Sequence, residues 1–148
     1  MAEMLNEGVK KQLREVFTAL QNPVSIIFFE SQERNCEYCD TTKQLLEEVT
    51  SLSDRINLEV HDIDKNVELA SKFHVDKVPG IMVAGRKDGK PVDYGVRFAG
   101  VPAGHEFTSL IRSVMMVSAG NSGLKEETRQ FLATLKEPIY LQVYVTPT

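Results

Sequence analysis

The chain has 148 residues, 42% hydrophobic and 26% charged, a composition that suits one globular domain with a core of its own. Its net charge of −4, with basic residues scattered in ones and twos, argues against a nucleic-acid partner. VSIIFF is far short of the roughly 20 apolar residues that span a bilayer, and the start MAEMLNEGVKK lacks a secretory pattern, so a cytoplasmic protein without a membrane partner is expected.

Between Leu5 and Leu20 the apolar positions Leu5, Val9, Leu13, Val16, Phe17 and Leu20 recur at helical spacing. Asn22-Pro23 ends that helix, because the residue before a proline is pushed out of the α region. VSIIFF, from Val24 to Phe29, suits a central strand buried on both faces. Leu45, Leu46, Val49 and Leu52 make one stripe of a second helix, and Ile56, Leu58 and Val60 line one face of a strand. Val67, Ala70 and Phe73 mark a short helix. VPGIMVAG and VDYGVRFAG read as two strands joined through KDGK, whose Asp-Gly is a hairpin signal. Phe107, Leu110, Ile111, Val114 and Val117 give a last amphipathic helix, and SAGNSG, from Ser118 to Gly123, reads as a linker. The strand–helix–strand unit predicts a parallel pair and the hairpin an antiparallel pair, so the expected domain is α/β, with a mixed sheet of about four strands and helices on both faces.

Past the linker the pattern begins again. VKKQLREVFTALQNPVSIIFF (Val9 to Phe29) aligns without a gap on LKEETRQFLATLKEPIYLQVY (Leu124 to Tyr144). Lys10, Arg14, Leu20 and Pro23 fall on Lys125, Arg129, Leu135 and Pro138, and Val24, Ile26 and Phe28 fall on Ile139, Leu141 and Val143. A helix, a proline stop and an apolar strand recur in register, as in an internal duplication whose second copy has just begun. The expected strand Ile139 to Val145 has no sheet of its own, so it is expected either to pack on the first unit or to pair with a second copy as a homodimer.

The chain's two cysteines form CEYC, Cys36 to Cys39. A disulfide staple this short closes little chain entropy, and no secreted framework surrounds it. The polar loop ESQERN is expected to carry the cysteines to the first turn of a helix, capped by Asn35, with the free amides of that turn facing Cys36. Such amides favour a thiolate and lower the Cys36 pKa from its free value of about 8.5. Cys39, one turn deeper, stays thiol-like. That asymmetry suits dithiol exchange, in which Cys36 attacks a substrate disulfide and Cys39 resolves the mixed disulfide. Glu37 and Asp40 oppose the thiolate, and Lys43, on the same helical face, is placed to offset them. Metal binding is the rival reading, but His61, His74 and His105 lack ligand spacing to the cysteines, and no metal is expected.

DKVPGI is the other informative stretch. A proline opening a strand after a CxxC, in an α/β chain of this order, is a common place for a cis bond; the other reading is a trans proline starting an edge strand. Beside Cys36, Val78 would offer free backbone groups to an extended substrate segment.

With CxxC before a helix and Val78-Pro79 before the third strand, the order of elements resembles the thioredoxin fold. NPVSIIFF, CEYCD, YGVRFAGVPAGHEF and VYVTPT are similar, in more detail, to the first half of the glutaredoxin-like protein disulfide oxidoreductases of thermophilic archaea and bacteria. Those proteins carry two thioredoxin-fold units in one chain and act on protein disulfides. The resemblance implies a catalytic pair, Cys36 and Cys39, a cis-proline at Pro79, and Val78, Pro79 and Tyr38 as substrate-binding residues. It makes Glu30 the candidate for the buried acid that aids proton transfer, unless Glu30 simply ends its strand in solvent. It implies no cofactor beyond the redox-active disulfide, and re-reduction by a thioredoxin-reductase-like flavoenzyme. Residues 1–120 are then a thioredoxin/glutaredoxin-like domain with an extra N-terminal helix. Residues 121–148 are a linker plus the first helix and strand of a second unit, truncated before its own CxxC, and that missing unit is an expected partner. Two departures stand out: the dipeptide between the cysteines is Glu37-Tyr38 rather than thioredoxin's Gly-Pro, and no tryptophan precedes it. The alternative is an accessory binding or structural unit whose cysteines form a passive disulfide or a metal clip.

Overall fold

A computed structural model describes residues 2–146. Its elements are α1 (Glu7–Phe17), β1 (Val24–Glu30), α2 (Cys39–Thr50), β2 (Ile56–Asp62), α3 (Val67–Lys72), β3 (Gly80–Lys87), β4 (Lys90–Ala99), α4 (His105–Ala119) and α5 (Glu126–Ala133). The four strands form one sheet in the order β2-β1-β3-β4, with β1 and β2 parallel and the other two pairs antiparallel. This is the mixed sheet the pattern predicts.

The sheet separates two apolar layers. Val24, Ile26, Phe28, Ile81 and Val83 meet α1, α2 and α4 through side chains such as Phe17, Leu46 and Val114. Ile27, Phe29, Met82 and Ala84 face Ala70 and Phe73, at and just after α3. From Val24 to Phe29 every residue of β1 is buried, which accounts for its nearly continuous apolar run. Each such large side chain contributes about 1.5–3 kcal/mol by leaving water.

Local chemistry sets the boundaries. Asn6 caps α1 through Oδ1, which accepts from the Val9 amide at 2.9 Å. Of the apolar positions that suggest this helix, Leu13 and Phe17 are buried but Val16 is exposed. The β3–β4 hairpin turns on Asp88 (φ 52°) and Gly89 (φ 75°), the left-handed pair of a two-residue turn. Farther along this ladder Val83 pairs with Val96 and Ala84 with Asp93, so Tyr94 and Gly95 form a bulge. Helix α4 runs on through Ser118, which the sequence places in the linker. The Ser118 hydroxyl accepts from the amides of Gln21 (2.9 Å) and Asn22 (3.0 Å) and donates to the Asn22 carbonyl. The linker therefore begins at Gly120, whose φ of 63° ends the helix.

The tail corrects one expectation. Helix α5 is present, but Ile139 to Val145 form no strand, and the segment neither joins the sheet nor packs on it. Leu141 is 88% exposed. Alternating apolar residues suit a strand, yet β structure exists only where another strand completes the hydrogen-bond ladder, and none is within reach.

Candidate active site

The cysteines sit where β1 leaves the sheet. After Glu30 the loop from Ser31 to Asn35 leads to Cys36, a turn over Glu37 and Tyr38 follows, and Cys39 is the first residue of α2. Cys36 and Cys39 are joined as a disulfide with their Cα atoms 5.4 Å apart. Cys39 is 4% exposed and Cys36 is half-buried, so the expected asymmetry is present. The helix start differs from expectation. Tyr38 holds the cap position without a side-chain bond, and Asn35 lies too far back to cap. The CEYC turn closes on itself instead, with the Cys39 amide donating to the Cys36 carbonyl at 3.3 Å. Cys36 thus precedes the first turn of α2, and the i, i+7 relation to Lys43 does not apply.

Lys43 has a different partner. It lies four residues beyond Cys39, on the same face of α2, and its Nζ is 3.4 Å from Glu30 Oε1. The Glu30 side chain is 13% exposed, so it does not end the strand in open solvent. Across the parallel ladder Glu30 pairs with Asp62, whose Oδ1 accepts from the Asp64 amide at 2.9 Å. Asp62 Oδ2 is buried with no hydrogen-bond partner among the described residues, and its nearest cation is Lys65 Nζ at 3.7 Å. Glu37, Asp40 and Tyr38 are exposed, Tyr38 by 54%.

The second wall of the site precedes β3. The Val78–Pro79 bond is cis. Phe29 pairs with Gly80, so Pro79 lies next to the end of β1, and Cys36 and Val78 pack against the same apolar layer. The Pro79 carbonyl accepts from Gly100 N at 2.9 Å, which ties in the segment after β4. The backbone N–H and C=O of Val78 have no partner among the described residues, leaving them open to an incoming extended segment. Gly80 matters here, although nothing in the sequence singles it out. A Cβ on Gly80 would come within 2.5 Å of the Lys77 carbonyl oxygen, so only glycine fits this tight turn.

A polar network, also unpredicted, organises the loop before Cys36. Ser31 Oγ accepts from the amides of Glu33 (3.2 Å) and Arg34 (2.8 Å) and donates to Asp64 Oδ2. Arg34 Nε donates to Asp64 Oδ1 at 2.9 Å, and its Nη1 donates to the Asp76 carbonyl at 3.3 Å. The hydrogen bond from Ser31 and the neighbouring Arg34 guanidinium hold the Asp64 carboxyl below the usual carboxylate range. Nothing local in the sequence signals these contacts, because Ser31 and Asp64 are 33 residues apart and Arg34 and Asp76 are 42 apart.

The histidines stand elsewhere. His61 lies against Glu59 and the Phe29 ring, His74 adopts a left-handed φ of 54°, and His105 opens α4. Among the described residues, no group of three or more His, Cys, Asp or Glu side chains is placed to hold a metal ion.

A sheet of this topology, with a CxxC disulfide ahead of a helix and a cis-proline beside it, defines a thioredoxin-like unit. The thioredoxin domain family matches residues 27–112, more than half of the chain, and the chain belongs to that family. Its structure is similar to the protein disulfide oxidoreductase from Aeropyrum pernix k1, with a TM-score of 0.77 and 28% identity over 88% of this chain and 55% of that one. It shares its fold with the NTD_N/C domain of alkylhydroperoxide reductase AhpF from Enterococcus faecalis (V583), with a TM-score of 0.73 and 24% identity over 85% of this chain and 58% of that one. It is also similar to the AhpF component of alkyl hydroperoxide reductase from Staphylococcus aureus (strain Mu50 / ATCC 700699), at 27% identity over 146 residues, 98% of this chain. The chain spans about a quarter of the length of that curated relative. The expected kinship with disulfide oxidoreductases is found; the likeness to AhpF is one that the motifs do not suggest by themselves. No helix among the described residues is long and apolar enough to cross a membrane.

Proposed function

We propose that the chain is a thiol–disulfide oxidoreductase unit that acts on protein disulfides through Cys36 and Cys39. One observation carries this reading: an accessible Cys36 is bonded to a buried Cys39 beside the open backbone of Val78 and the cis-proline Pro79. In the reduced protein, the Cys36 thiolate attacks one sulfur of a substrate disulfide and releases the other as a thiolate. Cys39 then attacks Cys36, the intramolecular disulfide forms, and the second substrate sulfur leaves. Two electrons pass to the substrate.

The surroundings take supporting roles. Glu30, held by Lys43, receives the proton that Cys39 gives up on attack. Val78 pairs with substrate backbone, Pro79 shapes the wall beneath it, and Tyr38 offers an exposed aromatic ring at the rim. A thioredoxin-reductase-like flavoenzyme in the cytoplasm returns the electrons. Relatives named as part of a reductase support such a partner.

Residues 121–148 open a second unit. The repeat in register, the presence of α5 and the exposed apolar side chains from Phe131 to Val145 support this, with Pro147 and Thr148 lying outside the described residues.

Trapping tests the function directly. A Cys39→Ser protein should accumulate a mixed disulfide with a disulfide-bonded protein, and Cys36→Ser should form none. Equal trapping by the two variants, or none by either, would favour an accessory unit with a passive disulfide.

A further inference from the structure

Arg34 stands two residues before Cys36, and its side chain joins three separate loops. It carries the loop from Ser31 to Asn35, bonds Asp64 in the turn after β2, and bonds the Asp76 carbonyl in the segment that leads to Val78 and Pro79. An isolated surface ion pair contributes little. Here, however, one guanidinium forks onto acceptors in two loops, and the Asp64 side chain is 17% exposed with both carboxylate oxygens bonded. The same carboxylate holds Ser31, which holds the Arg34 amide.

Building on the oxidoreductase reading, we propose that Arg34 is a positioning residue that clamps the Cys36 loop to the loop ending in Pro79 and so sets how readily the Cys36–Cys39 bond closes. In the disulfide form Cys36 is tethered to Cys39, which α2 buries. In the dithiol form that tether is gone, and only the loop from Ser31 to Asn35 holds Cys36. Freezing the loop therefore lowers the entropy of the dithiol more than that of the disulfide and favours closure. In the closing step the Cys39 thiolate attacks Cys36 Sγ of the mixed disulfide. The Cys36–Cys39 bond forms, the bond to the substrate sulfur breaks, and the departing thiolate takes up a proton.

The test compares wild type with Arg34→Lys, Asp64→Ala and the double variant. Lysine keeps the charge but has one nitrogen for two acceptors, and Asp64→Ala breaks the clamp from its other end. Each protein is equilibrated with reduced and oxidised glutathione, and its free thiols are counted by mass tagging. Circular dichroism checks that each is folded, and either single variant suffices if the other is not. Each single variant should lower the closure constant about tenfold, equivalent to about 30 mV toward a more oxidising couple. The double variant should fall no further, since both changes break one clamp. In Arg34→Lys the pH dependence of Cys36 alkylation should match wild type. Unchanged closure in the folded single variants, or additive losses in the double, would overturn the clamp while leaving the oxidoreductase reading intact. A wild-type protein whose pair does not titrate would overturn both.

Discussion

Lys43 Nζ stands 3.4 Å from Glu30 Oε1, and this pair joins the end of β1 to the helical turn that follows Cys39. A carboxylate with little solvent access, tied to the helix that carries the resolving thiol, is placed to accept that thiol's proton. Glu30→Gln should slow oxidation of the reduced protein by roughly a hundredfold, the lower end of what a positioned base contributes. Stopped-flow reaction with a protein disulfide measures this. Alkylation of Cys36 in the same variant should proceed at the wild-type rate, and an equal loss in both would remove Glu30 from the role.

Gly80→Ala tests the second wall. The added methyl would meet the Lys77 carbonyl and Val75, so the turn before β3 has to shift. The expected cost is about 1–3 kcal/mol, as for overpacked sites, read by urea unfolding. Exchange with protein disulfides should fall more than exchange with a small disulfide, because only an extended chain uses the Val78 backbone.

Asp93 and Arg97 give a pH prediction. The hydrogen bond from Arg97 is the main cause that holds the Asp93 carboxyl below its ordinary range. A carboxyl depressed in the folded state adds stability above its unfolded pKa, about 3.9, and loses it as pH falls through the folded value. Because the pair is partly exposed, Asp93→Asn should cost only about 0.5 kcal/mol at neutral pH. The gap from wild type should shrink below pH of about 4 and close once Asp93 is protonated in the fold. Thermal melts across that range check the sign.

The exposed tail predicts association. Deleting residues 136–148 removes Ile139, Leu141, Val143 and Tyr144 from solvent contact while leaving the sheet and both apolar layers intact. The full chain should show concentration-dependent mass in light scattering, whereas the shortened chain should remain monomeric with an unchanged melting temperature.

Much of this architecture is written in local patterns. The unbroken apolar run of β1, the Asp88-Gly89 turn and the stripe of α4 each reflect one element's own periodicity or turn chemistry, and each is found. Cys36, Cys39 and Pro79 are equally legible, because their spacing and punctuation carry the signal. What stays hidden depends on distant partners. Ser31, Arg34 and Asp64 look like ordinary loop polarity until the fold brings them together. The helix start at Cys39 is set by a turn that closes between the cysteines, which composition does not reveal. At Ile139 to Val145 the pattern misleads, since β structure needs a neighbour that the pattern cannot supply.

The central claim is that Cys36 and Cys39 form a working redox couple, and the midpoint of that pair tests it most directly. Equilibration with glutathione or dithiothreitol buffers, followed by mass-tagged thiol counting, should give a reversible midpoint between about −270 and −120 mV. Cys36→Ser should abolish all exchange. A midpoint below about −300 mV, or no titration, would contradict the account and leave the cysteines as a structural bond.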